Sequence, residues 1–156
     1  MKRAFISTDF WEDEKVARCH WIEKFIMLAL WTQSQMTTFG FIRLDLGKLA
    51  DKINSGSNSR WPDLPPIEED QIRRVVASLR RRRIIMVSTD REFVSIYFVN
   101  FLKHSVLPPN IPRSWPKLIE RLAPPAKIEA AIRGACVEFC KGRGMDVPRG
   151  LAPRLG

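Results

Sequence analysis

The chain has 156 residues, 45% of them apolar, with five tryptophans and a net charge of +9. That length and apolar content exclude wholesale disorder and allow one domain plus an appendage. The longest apolar run, Phe25 to Trp31, falls far short of the roughly 20 residues that cross a bilayer, so no membrane partner is expected.

At the start, Ser7, Thr8 and Asp9 offer N-caps ahead of Phe10 and Trp11. A short first helix should end near Val16, its aromatics packing on the body as a lid. Trp21 to Gln35 reads as a central helix with so little polar face that burial all round is expected. Phe41-Ile42-Arg43 reads as a short strand able to join a later hairpin as a third strand. Leu44 to Ile53 reads as the next helix, with Leu46, Leu49, Ala50 and Ile53 at helical spacing. Asn54 to Pro66 is a loop rich in Ser, Asn, Gly and Pro that carries Arg60 and Trp61. It is roughly three times longer than the 3–4-residue link of a plain helix-turn-helix.

The stretch from Ile67 to His104 carries most of the functional signal. Ile72, Val75, Val76 and Leu79 recur at i, i+3, i+4 and i+7, an apolar stripe along one helix. The centre of the opposite face falls on Arg74 and Arg81, flanked by Ala77 and Ser78. Arg73, Arg80 and Arg82 lie on the shoulders, and Arg83 closes the run. Acids at the start and arginines at the end suit the helix dipole. The dipole does not account for six arginines with no acidic i+4 partner near the helix end, because guanidinium groups so clustered repel unless something anionic compensates them. Ile84 to Thr89 and Glu92 to Phe98 then alternate as a hairpin. Its turn, Asp90-Arg91, lacks glycine, so a loop longer than two residues is expected.

After the hairpin come Asn100-Phe101-Leu102-Lys103-His104 and then Pro108, Pro109 and Pro112, which end the regular domain near 108. Ser114 to Leu122 and Lys127 to Lys141 read as two further helices. Pro148 to Gly156 has the composition of a flexible basic tail. The division is therefore 1–108 for a domain, 109–142 for a helical extension and 143–156 for the tail. Residues 111–156 hold 9 basic and 4 acidic residues, more basic per residue than the rest. Such a balance favours an anionic partner.

Chemistry-bearing sets are sparse. Cys19 beside His20, and Cys136 four residues from Cys140, are zinc-ligand types, but nothing nearby completes a set of four. Three widely spaced cysteines form no disulfide framework, which favours a reducing cytoplasm. The glycines form no phosphate loop or dinucleotide fingerprint, and the carboxylates are scattered. No cofactor, no metal and no catalysis are expected.

Phe10-Trp11-Glu12-Asp13, then Leu28-Ala29-Leu30-Trp31 with Gly40-Phe41-Ile42 and Leu44-Asp45, then Asn100 to His104, together resemble a known group. The chain is similar over roughly residues 1–110 to the N-terminal winged-helix domain of phage and prophage replication-initiation proteins, the DnaD-like replisome organisers. The resemblance implies an α+β, mainly α fold: a winged helix-turn-helix with a small β-hairpin wing, here followed by a short helical extension. It implies binding to DNA, duplex rather than single strand, inside a bacterial host. It also implies a homo-oligomer formed through this domain and a host or phage replication protein as partner. Residues 111–156 are shorter than the C-terminal helical domain of that group, and Ser105 stands where a glutamine is common. DNA binding is the expectation carried forward.

On that expectation Arg74 and Arg81 are the base-edge candidates, with Ser78 between them. Arg73, Arg80, Arg82, Arg83, wing-tip Arg91 and Lys48, expected to be half-buried on the second helix, are candidates for phosphates. The alternative is a docking or dimerisation module, perched on an apolar patch at Trp61 or Trp115, or a transcriptional regulator built on the same domain.

Overall fold

The computed structural model describes residues 8–55 and 65–153. Arg60 and Trp61 lie outside the described residues. A 3₁₀ turn over Thr8–Glu12 leads into α1 (Glu14–Ala17), where the Asp13 carboxylate accepts the Lys15 N–H at 2.9 Å. Asp13 also meets His104 Nε2 at 3.2 Å, and Phe10 stacks edge-on against Trp31 and His104. Burial raises the Asp13 pKa, but the Lys15 amide and His104 outweigh it and hold the carboxyl below its ordinary value. The lid is thus fastened by one buried ring and the Asp13–His104 contact, while Trp11 stays exposed.

The central helix α2 (Trp21–Trp31) starts on a capping box in which His20 N–H donates to Glu23 Oε1 at 3.1 Å. It stops at Trp31 rather than Gln35. Thr32 Oγ1 donates to the Leu28 and Ala29 carbonyls, and Gln33 Nε2 donates to Ala29 O at 2.8 Å, so side chains take the last-turn acceptors that further backbone N–H groups would use. Nor is α2 buried all round. Ile26, Met27, Leu30 and Trp31 are in the core, but Trp21, Phe25 and Leu28 form an exposed stripe. The body covers only one side of the helix.

Strand β1 (Phe41–Leu44) follows Gly40, whose φ of 90° and close approach to Phe101 admit no side chain: a Cβ there would lie 2.4 Å from Phe101 Cβ. Asp45 then caps α3 (Leu46–Asn54) through the Gly47 and Lys48 amides. One side chain links the end of α3 to the approach to the next helix. Asn54 Nδ2 donates to Ile67 O at 2.7 Å, and Ile67 N–H donates back to Asn54 Oδ1 at 2.9 Å. That clamp accompanies the packing of α4 (Glu69–Arg81) against α3.

α4 ends in a left-handed turn at Arg83 (φ 59°), where Ile84 N–H donates to Leu79 O. Glycine is the usual residue there, so arginine holds the turn at some conformational cost. β2 (Ile85–Asp90) and β3 (Phe93–Phe98) follow. Asp90 pairs with Phe93, so the hairpin loop is the two residues Arg91 and Glu92, not a longer one. Arg91 takes φ 53° in place of the missing glycine. The three strands form one antiparallel sheet in the order β1-β3-β2, with Phe41 opposite Tyr97 and Met86 opposite Tyr97 on the other side.

The sheet has a core on each face. Val94, Ile96 and Phe98 face the α2–α3–α4 side. Phe39, Phe41 and Tyr97 face α5 (Trp115–Leu122) and α6 (Ala126–Gly142), packing with Trp115, Ile119, Ile132 and Cys136. The alternation in β3 therefore separates two interiors rather than inside from outside. Trp115, a candidate for an exposed docking patch, is fully buried and its Nε1 donates to Thr38 Oγ1 at 2.9 Å. Arg43 ties β1 to the end of α5, donating to the Leu122 and Ala123 carbonyls. The helical extension is thus the second half of one sheet's packing.

Composition suggests a flexible tail from 143 onward, but residues 143–153 fold back along α6. Leu151 is fully buried, and the buried Arg133 donates to Gly150 O at 2.7 Å. Arg143 donates to Ser105 O and lies over the Phe139 ring. Scattered apolar residues (Met145, Val147, Leu151) reach the second core, which outweighs a basic, proline-containing composition. The fold is α+β and mainly helical, with one small antiparallel sheet. Among the described residues no helix is long and apolar enough to cross a membrane.

Candidate nucleic-acid interface

The stripe Ile72, Val75, Val76 and Leu79 is buried, so the rotation of α4 follows its sequence pattern. Its remaining surface divides into two flanks and a crest. One flank faces α2. There Ser78 Oγ donates to Glu23 Oε2 at 3.1 Å, and Arg82 Nε lies 3.3 Å from the same oxygen. Glu23 is buried, with only 8% of its side chain exposed. A carboxylate so placed needs donors, and Ser78, Arg82 and the His20 amide supply them. Ser78 is therefore half-buried against α2 rather than set between the candidate base-contacting arginines. Arg82 likewise turns to Glu23, with 38% of its side chain still exposed.

The other flank faces the hairpin. Arg73, Arg80 and Arg81 line one wall of a groove of about 440 Å³, Thr89 lies on the opposite wall, and Leu46 and Val76 contribute apolar surface. Arg73 is held by Glu69 at 3.2 Å in a pair exposed by nearly half on each side. Among the described residues Arg74, Arg80 and Arg81 have no acidic group within ion-pair distance. Arg74 and Arg81 sit seven positions apart and so share the crest. Arg83 and Arg91 are exposed, one at the end of α4 and one at the hairpin tip. Lys48 lies exposed, not half-buried, on the first turn of α3.

Arg73, Arg74, Arg80 and Arg81 are thus brought to one side of a single helix, with Arg91 carried on the adjoining hairpin. Ser78 and Arg82 are drawn away. Glu23 is the residue that sequence reasoning missed. Its place three positions after His20 marks it as a capping-box acid, which is ordinarily solvated.

The thiols do not gather into a reactive site. Burial pushes the Cys19, Cys136 and Cys140 thiols up, with the neighbouring Glu23 charge adding to the effect at Cys19. Such thiols stay protonated and weakly nucleophilic. Among the described residues no group of three or more His, Cys, Asp or Glu side chains is arranged to hold a metal ion.

A scan against protein-family models, a search of curated proteins and a search of solved structures each found no match to this chain.

Proposed function

We propose that this chain is a DNA-binding winged helix-turn-helix protein of a phage or mobile element, acting in replication initiation in the cytoplasm of a bacterial host. The element order supports the winged-helix part: α3 clamped to the approach of α4 by Asn54, then a hairpin whose β3 also pairs with β1. α3 and α4 correspond to the helix-turn-helix, and β2–β3 to the wing. The observation that carries the reading is the run of arginines, Arg74, Arg80 and Arg81, that have no acidic partner among the described residues, beside a hairpin tipped by Arg91.

In this reading α4 enters the major groove. Arg74 and Arg81 on the crest reach base edges, where guanidinium pairs bidentately with guanine O6 and N7. Arg80, Arg83, Arg91 and Lys48 neutralise phosphates on either side. Arg73 joins them when a phosphate displaces Glu69. Duplex is favoured over single strand because no aromatic side chain lines the groove to stack an unpaired base. Arg82 and Ser78 take no part. The mechanism needs no cofactor and no catalytic step.

A second reading, a protein-docking or self-associating module, rests on the exposed Trp21, Phe25 and Leu28 stripe of α2. A transcriptional regulator would use the same DNA face as the replication protein.

Fluorescence anisotropy with labelled duplex and single-stranded DNA at two salt concentrations tests the proposal. Arg74→Ala with Arg81→Ala should weaken duplex binding by about 1–3 kcal/mol per contact and flatten its salt dependence. Salt-sensitive binding unchanged in the double variant would move the DNA to other basic residues. No binding at low salt would refute it in favour of protein docking.

A further inference from the structure

Strand β2 is an outer strand of the sheet, and its free edge is built to pair. Phe98 N–H donates to Gly40 O on the β1 side, while Val99 N–H donates to Ile84 O on the β2 side. Antiparallel alternation then turns the backbone N–H and C=O of Ile85, Val87 and Thr89 away from β3; Ile85 is buried, which leaves Val87 and Thr89 on the open edge. Among the described residues no other backbone group bonds them. Proteins usually blunt such an edge by covering it or bulging it. Here a groove of about 400 Å³ runs between β2 and the start of α6, with Pro125 on its far wall. Arg80 and Lys127 line it, and no acidic residue does.

We propose that this edge takes an extended acidic peptide segment of a partner protein as an added strand. The alternating donors and acceptors of Val87 and Thr89 match a peptide backbone, whereas a phosphate chain offers only acceptors. Arg80 and Lys127 select carboxylate side chains on the added strand. A second copy of this chain fits less well, because pairing β2 with β2 would bring two sets of Arg80 and Lys127 to one seam. The two sites share Arg80 and otherwise differ: the peptide takes the β2 backbone edge, the DNA the crest of α4.

The test uses the full chain and a fluorescent peptide of alternating glutamate and valine, with the lysine-for-glutamate peptide as comparison. The acidic peptide should bind at least about tenfold more tightly than the basic one. Amide exchange at Val87 and Thr89 should slow when it is added. Val87→Pro removes an outward N–H without breaking the β2–β3 ladder, a substitution that edge strands tolerate. It should weaken binding by about tenfold or more while Val87→Thr leaves it unchanged. Lys127→Glu, on the surface of α6, reads the charge independently of strand folding and should reverse the preference between the two peptides. Absence of acidic-peptide binding at millimolar concentration would overturn the proposal. So would undiminished binding by a folded Val87→Pro variant. Self-association in sedimentation that Val87→Pro abolishes would overturn it in favour of a second copy.

Discussion

The two flanks of α4 carry the same kind of residue and do different work. On the flank toward α2, Arg82 and Ser78 close around the buried Glu23 carboxylate. Toward the hairpin, Arg80 and the crest residue Arg81 line an open groove with no acidic partner among the described residues. Arg81 and Arg82 are adjacent in sequence yet about 100° apart around the helix. An arginine count on a helix is therefore an upper bound on its interface. Each buried acid nearby removes donors from the total.

The contrast is broken most directly at Glu23. Glu23→Ala deletes three interactions at once and should destabilise the fold by about 2–3 kcal/mol in urea unfolding, moderated because Arg82 can turn to water. Duplex affinity of the folded variant should hold. A loss of affinity as large as the loss of stability would show that the two flanks are not separate.

The neighbouring arginines sharpen it. Arg81→Ala should weaken duplex binding by about 1–2 kcal/mol and leave the thermal transition nearly unmoved. Arg82→Ala should do the reverse, costing at most about 1 kcal/mol of stability, since its side chain is 38% exposed. The pair of measurements needs only anisotropy and a melting curve on two single variants. Similar outcomes from both would end the distinction.

Arg73 lies between the two behaviours, with the smallest expected effect. Arg73→Ala breaks an exposed i,i+4 pair with Glu69 and should change stability by no more than about 0.5 kcal/mol. Glu69→Gln should strengthen duplex binding slightly at low salt, by freeing Arg73, and not at high salt, where the pair is screened.

Much of this arrangement is legible in the sequence, and the exceptions share a cause. The stripe through Ile72 and Leu79, the alternation of β3 and the third strand at Phe41 follow from local periodicity, which packing then respects. Ser78 could not be assigned that way. Periodicity fixes which face of α4 is buried but not that α2 crosses on the Ser78 side carrying a buried acid. The exposed Trp21, Phe25 and Leu28 are the same problem in reverse, since apolar residues alone do not reveal which side of a helix lacks a neighbour. The two-residue turn at Arg91 was hidden because a non-glycine residue takes the left-handed conformation. Residues 143–153 were hidden because three apolar side chains spread through Pro, Gly and Arg leave no periodic signal.

The shared sheet has a consequence for the order in which the molecule can mature. All three strands exist once Phe98 has been synthesised, and the core on the α4 side can close once Phe101 has followed. The opposite face cannot. Phe39, Phe41 and Tyr97 must wait for Trp115, Ile119, Ile132 and Phe139, so a nascent chain leaving the ribosome presents a bare aromatic surface until α6 emerges. That interval is the chain's most aggregation-prone stage. The same dependence makes the finished molecule lose both interiors in one cooperative unfolding transition, because neither half keeps its sheet face covered without the other.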